Sequence, residues 1–270
     1  MLVLTQFVLR LAFGLSLAMA LTSPRKVTSG FFRNHAYVLL GLNVLALLAA
    51  FADQKQLSIW SPLAGVVLSY ACAVTWLYEK AKPGRALLIL IAVAALAGAC
   101  IAQQLPEPPT GQAIMSESTA VRPVAAAASE AVTCTIWKVN IFTSGLLLGS
   151  TIAAMFLGHW YLNSPTMEIA PLRKLLVLMM IALALQSTVS GGSLALEAML
   201  VGLKSNQYPL LALRWLAGIF GTTALTYMTW QTLKIPNTQS ATGILYVAVL
   251  ATFLGELTSL LLSAGTAFPI

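Results

Sequence analysis

Runs of about 20 predominantly apolar residues recur along this chain, each long enough to cross a hydrocarbon core of roughly 30 Å as a helix. They cover residues 2–21, 36–52, 59–78, 86–103, 139–162, 172–189, 209–233 and 243–262. Lipid-facing barrel strands alternate polar and apolar residues, and these runs do not. The expected fold is therefore all-α: a polytopic membrane bundle of about eight transmembrane helices, forming one integral membrane domain over 1–270. Composition agrees. Hydrophobic residues make up 59% of the chain and charged residues 9%, with a mean hydropathy of +0.85. A soluble domain carries about 25% charged residues, so a soluble enzyme, a disordered chain and a disulfide-rich secreted domain are all excluded.

The first run ends in Ala18-Met19-Ala20, which resembles a signal-peptidase site. The segment before it has no basic residue other than Arg10, well inside the apolar stretch, whereas Arg25, Lys26 and Arg33 follow it. It is read as a retained helix with its N-terminus outside. Eight spans then place nine basic residues in inner loops: Arg25, Lys26, Arg33, Lys80, Lys82, Arg85, Arg173, Lys174 and Lys234. Outer connections hold five: Lys55, Arg122, Lys138, Lys204 and Arg214. Both termini are expected outside, and the location is a cell inner (cytoplasmic) membrane. The net charge of +7 reads as an orientation signal, with the lipid bilayer as partner and no nucleic acid.

Two connections stand out. Residues 104–137 contain Pro106-Glu107-Pro108-Pro109 and small residues including Ala125 to Ala128, and are expected to form a mobile outer loop. Cys100 and Cys134 sit at its two ends, so a disulfide between them and a pair of free thiols are both open readings. Cys72, mid-span, reads as a packing residue. In 190–208, Gly191-Gly192 interrupts the apolar stretch and is read as the kinked end of helix six, or as a re-entrant segment beside a cavity. The inner hairpins share aromatic belts and prolines, which any hairpin produces, so no internal duplication is inferred.

Ionisable groups inside a span cost at least roughly 2.5–3.5 kcal/mol at the midplane and usually face the bundle interior. Glu256 is the most informative of them, on a polar stripe formed by Thr242, Tyr246, Thr252, Glu256, Ser259 and Ser263. It is either a neutral group hydrogen-bonded to a neighbouring helix or part of a proton or quinone site with Tyr246, Thr252 and Arg214. Arg10 and Arg214 are the candidate cations. Arg214, at the start of its span, is expected to snorkel to the headgroups. The face Arg214, Gly218, Thr222, Thr226 and Thr229 is small and polar, which predicts close packing of the last two spans. His35 and His159 fall on the inner side. They read as interfacial residues, as quinone contacts, or as axial ligands of one b-type haem.

The inventory excludes much chemistry. Two histidines cannot hold two bis-histidine haems, and no lysine lies deep in a late helix as a retinal site needs. There is no His-Glu-x-x-His and no P-loop, and Ser190-Gly-Gly-Ser193 has no histidine on its side of the membrane. Catalysis by this chain alone is not expected. The leading expectation is a membrane subunit of a larger assembly, linked to quinone or electron transfer, alongside other membrane or peripheral subunits. The alternatives are a small-solute or proton-coupled transporter and a purely structural membrane protein. A transporter is disfavoured by the lack of a repeat with paired broken helices.

Overall fold

A computed structural model describes residues 2–52, 59–103, 122–164, 167–235 and 237–270. Lipid offers no partner to backbone N–H and C=O groups, so each apolar run satisfies its own by becoming a helix. The helices are α1 (Leu2–Leu21), α2 (Ser29–Ala52), α3 (Trp60–Leu77), α4 (Ala81–Ala102), α5 (Arg122–Asn163) and α6 (Ala170–Leu200). The seventh crossing is composite. A 3-10 turn, Ser205–Gln207, leads into α7 (Tyr208–Leu213), then π-helical turns over Arg214–Gly221, then α8 (Thr222–Thr232). The last crossing is α9 (Thr238–Ser263). Eight crossings of sufficient length and apolarity result, and among the described residues there are no strands. The start of α1 and the end of α9 share one face, called here the terminal face; the opposite one is the loop face.

Two helices form the centre. In α1 and α5 respectively, 78% and 89% of the most apolar window is buried. α1 is apolar around most of its circumference, as a helix enclosed by others is, with Gln6 and Arg10 the main exceptions. It packs on α5, α4 and α2, while α5 also packs on α6 and α9. α3 closes the periphery against α2 and α4, and α8 does so against α9 and α6. The α1–α5 contact is made backbone to backbone. A Cβ on Gly14 would lie 1.7 Å from the Gly145 carbonyl oxygen, and one on Gly149 would lie 1.8 Å from the Gly14 carbonyl carbon. Only glycine permits this approach, the small-residue packing that holds helices together where lipid removes the hydrophobic drive.

Several boundaries differ from expectation. α5 starts at Arg122, so the latter part of 104–137 is helix; residues 104–121 lie outside the described residues. Alanine is the best helix former, and Arg122-Pro123 places proline in the first turn, where its missing N–H costs nothing. α6 runs unbroken through Gly191-Gly192 to Leu200, so the glycines mark neither a re-entrant turn nor a kinked helix end. The helix stops ten residues later at Gly202, whose φ of +90° lets its N–H and that of Val201 both reach the Glu197 carbonyl, at 2.8 and 3.0 Å. α9 begins at Thr238, where the Asn237 side chain accepts the Ser240 N–H at 3.0 Å.

The basic loop-face residues have a local structural role besides orientation. α1 and α8 end on this face, with unpaired carbonyls and the negative pole of the helix dipole. Arg85 Nε donates to the Ala20 carbonyl at 3.3 Å, and Arg173 Nη2 donates to the Leu233 carbonyl at 2.8 Å. Lys26 pairs with Glu168 at 2.6 Å across an exposed surface.

Candidate functional site: a buried charge cluster near the terminal face

Three formal charges meet inside the bundle. Arg10, Arg214 and Glu256 are each 0% exposed. Arg214 Nη1 donates to Glu256 Oε1 at 2.7 Å and Arg214 Nη2 to Ser190 Oγ at 3.1 Å. Ser144 Oγ donates to Glu256 Oε2 at 2.5 Å, and Arg10 Nη1 donates to Ser144 Oγ at 3.4 Å. One carboxylate is thus held by two guanidinium groups, directly by one and through a hydroxyl by the other.

Arg214 therefore does not snorkel. A close approach between Gly218 and Gly255 explains why: a Cβ on either would lie 2.6 or 2.3 Å from the Cα of the other. That contact brings the π-helical turns against α9 with Arg214 one turn from the crossing and Glu256 beside it. The guanidinium gains more from the carboxylate there than from partly hydrated headgroups. A π-helical insertion is uncommon and is frequently found at functional sites.

The cluster continues as a polar network across the bundle. Gln6 Oε1 accepts from Arg10 Nε at 3.4 Å, and Gln6 Nε2 donates to the Ala99 carbonyl of α4 at 2.8 Å. Gln186 Nε2 donates to Asn140 Oδ1 at 3.0 Å, while Thr143 donates to Gln186 Oε1. Nearer the terminal face, Glu197 Oε2 accepts the backbone N–H groups of Ala267 and Phe268, at 3.1 and 3.0 Å. The segment following α9 thus folds back over the cluster, and Ser259 Oγ donates to the Ile270 carbonyl.

Because α9 extends from Thr238 to Ser263, Glu256 stands seven residues from its terminal-face end, about 10 Å along the axis, between that end and the helix midpoint.

The other predicted residues separate. Thr252 stays near the cluster's helix–helix seam, with its Oγ1 3.3 Å from that of Thr222 and donating to the Ala248 carbonyl at 2.8 Å. Tyr246 is 45% exposed. At 3.6 residues per turn it stands about 100° around α9 from the mean direction of the other stripe residues. Its hydroxyl lies 3.1 Å from His159 Nδ1. His35 is buried, with Nδ1 2.6 Å from the Phe31 carbonyl and its ring 4.4 Å from that of Phe156. Cys100 and Cys134 both carry free thiols, as does Cys72. Cavities of about 260 and 470 Å³ open beside Lys26 at the loop face and do not touch the cluster.

Four residues of the network, Gln6, Asn140, Ser144 and Gln186, carry no expectation from the sequence stripe. Their signal is an i, i+4 spacing of polar residues: Gln6 with Arg10, Asn140 with Ser144, Gln186 with Ser190, Thr252 with Glu256. Such pairs share one helix face. No protein family, curated protein or solved structure matches this chain.

Proposed function

We infer that this multi-pass membrane protein is a small-solute transporter whose moving element is the seventh crossing, and that the Arg214–Glu256 pair is its latch. The observation that carries this reading is that a single carboxylate, at the one π-helical stretch among the described residues, links α5, α9 and the seventh crossing. Around it, Ser190 ties α6 to Arg214, and Arg10 ties in α1. A purely structural pairing would satisfy its polar groups, yet Arg10 Nη2, Arg214 Nε, Ser193 Oγ and Trp215 Nε1 are buried without partners among the described residues. Groups of this kind inside a membrane mark a substrate or ion path. Irregular backbone at such depth is tolerated where it lines a cavity.

Access tests this reading. Ser190 is 0% exposed, so a static cluster never meets water. In a chain with Cys72, Cys100 and Cys134 replaced by alanine, Ser190→Cys in sealed vesicles is expected to react within minutes with a membrane-impermeant thiosulfonate reagent at the terminal face. Absence of modification from either side over hours would overturn the transporter reading.

A separate observation favours a second reading, contact with a quinone in an assembly. The His159–Tyr246 pair offers a ring nitrogen and a phenol at a lipid-accessible surface near the loop face. These are the donor and acceptor types that a quinone carbonyl or quinol hydroxyl needs. Quinone is then expected in organic extracts of the purified protein at near one per chain and is lost in His159→Leu. A chain that purifies without quinone, and shows no reduced haem band after dithionite, has neither cofactor.

A further inference from the structure

The cluster is not electrically closed. Within the cluster two fully buried guanidinium groups face one carboxylate, an excess of one positive charge; the other buried carboxylate among the described residues, Glu197, stands two turns along α6 from Ser190. An uncompensated ion in a low-dielectric interior is strongly disfavoured. The unsatisfied atoms have the same polarity. Of six buried side-chain atoms without partners among the described residues, Asn43 Oδ1 and Trp76 Nε1 belong to the α2–α3 side. The other four are Arg10 Nη2, Arg214 Nε, Ser193 Oγ and Trp215 Nε1. Each of these can donate a hydrogen bond, and three of them only donate.

Their placement follows the cluster. Ser193 is one turn along α6 from Ser190, which accepts from Arg214 Nη2. Trp215 adjoins Arg214 in sequence, and its indole ring lies 3.5 Å from where a Cβ on Gly191 would stand. Among the described residues, the side-chain carboxylates near this end are already engaged. Both Glu256 oxygens are used, and Glu197 Oε2 holds the backbone of Ala267 and Phe268. Lys138 and Lys204, outside the cluster, add no negative charge. What the site lacks is one negative charge with acceptor capacity.

We propose that the Arg10–Arg214–Glu256 cluster binds one small monovalent anion, a halide or a short carboxylate, on the donors left free by Glu256. Glu256 serves as a tethered anion that neutralises one guanidinium, and the ligand neutralises the other. A divalent anion would overcompensate the single excess charge, and a cation would add to it. The inference rests on the transport reading only for how the anion reaches the site.

The test uses the whole chain purified in detergent, with sodium chloride titrated against sodium gluconate at constant ionic strength. Gluconate is a bulky anion, so it controls for screening. A ligand that binds only the folded state raises the melting temperature with the logarithm of its concentration above Kd, here by roughly 5 °C once chloride is about tenfold above Kd. Glu256→Gln removes the tethered anion and is expected to enlarge that rise, because two guanidinium groups then need external anions. Arg10→Met is expected to abolish it. Because Arg10→Met can fail to fold, anomalous scattering from a bromide-soaked crystal of the unaltered chain gives an independent measurement, with bromide expected at Arg10 or Arg214. Equal melting temperatures in chloride, formate and gluconate for both the native chain and Glu256→Gln, or no bromide at the cluster, overturn the proposal. Anion-dependent melting with no reactivity in Ser190→Cys keeps the anion site and removes transport. Reactivity without any anion dependence does the reverse.

Discussion

Glu256→Leu is expected to be the most damaging single substitution in the interior, lowering stability by about 3–5 kcal/mol. The cost arises less from losing the 2.7 Å ion pair than from stranding Arg214, which is fully buried and pairs with no other carboxylate among the described residues. Ser144 loses its acceptor at the same time, and with it the link to Arg10. The double substitution Glu256→Leu with Arg214→Leu removes both charges and is expected to recover a large part of the loss, since well-packed apolar pairs often equal or exceed buried ion pairs in stability. Unfolding titrations of the native chain, both single variants and the double variant in gluconate would measure the coupling. Additive losses, or a Glu256→Leu variant as stable as the native chain, would show that the pair does not hold the seventh crossing.

Gly14→Leu should be comparably severe, for a steric reason. The added Cβ alone would stand 1.7 Å from a backbone oxygen of α5, and backbone in a central helix cannot swing aside as a flexible side chain can. Accommodation requires α1 and α5 to separate, which opens voids among the buried residues around them. A loss of more than about 3 kcal/mol and failure to accumulate in membranes are expected. Gly192 is the matched control. No atom lies within 4 Å of a Cβ placed there, so Gly192→Ala is expected to stabilise α6 by roughly 0.5–1 kcal/mol through reduced unfolded-state entropy. If the two substitutions had similar effects on thermal unfolding, the close α1–α5 packing would be refuted.

The contrast between these glycines shows where sequence reasoning stops. Gly14, with Gly145 and Gly149, lies in long apolar runs without any turn residue nearby, and nothing local distinguishes it from Gly192. Gly191-Gly192 is the more conspicuous pair, and it has the least to do. Helix propensity penalises each glycine by about 1 kcal/mol, too little to break a helix whose backbone has no alternative partner in lipid. The break falls at Gly202, where the left-handed backbone is used.

The charge cluster was half legible. Glu256 stood out because it is an acid in an apolar run, and Thr252 lies on the same stripe. Arg214 was visible as a cation but its direction was not. Snorkelling and inward pairing are both open to an arginine near a span end, and the Gly218–Gly255 contact that decides between them joins residues 37 apart. Gln6, Asn140, Ser144 and Gln186 were present as polar pairs four residues apart, but a pair on one helix does not say which helix it will face. Tyr246 was grouped with Glu256 by a count of spacings, and an angle of about 80° around α9 separates them.

By itself, the sequence determined that this chain crosses a membrane eight times as helices, because uninterrupted apolar length is a one-dimensional property and lipid leaves the backbone no other choice. It also carried the asymmetry of basic residues that gathers at the loop face. Tertiary structure alone decided that α1 and α5 are central and that Arg10, Arg214 and Glu256 meet with one charge in excess. Those outcomes depend on how closely helices approach, on which face each turns inward and on where the seventh crossing leaves regular helix. Each is a relation between residues far apart in the chain, and in lipid no hydrophobic gradient writes it into the pattern of any one segment.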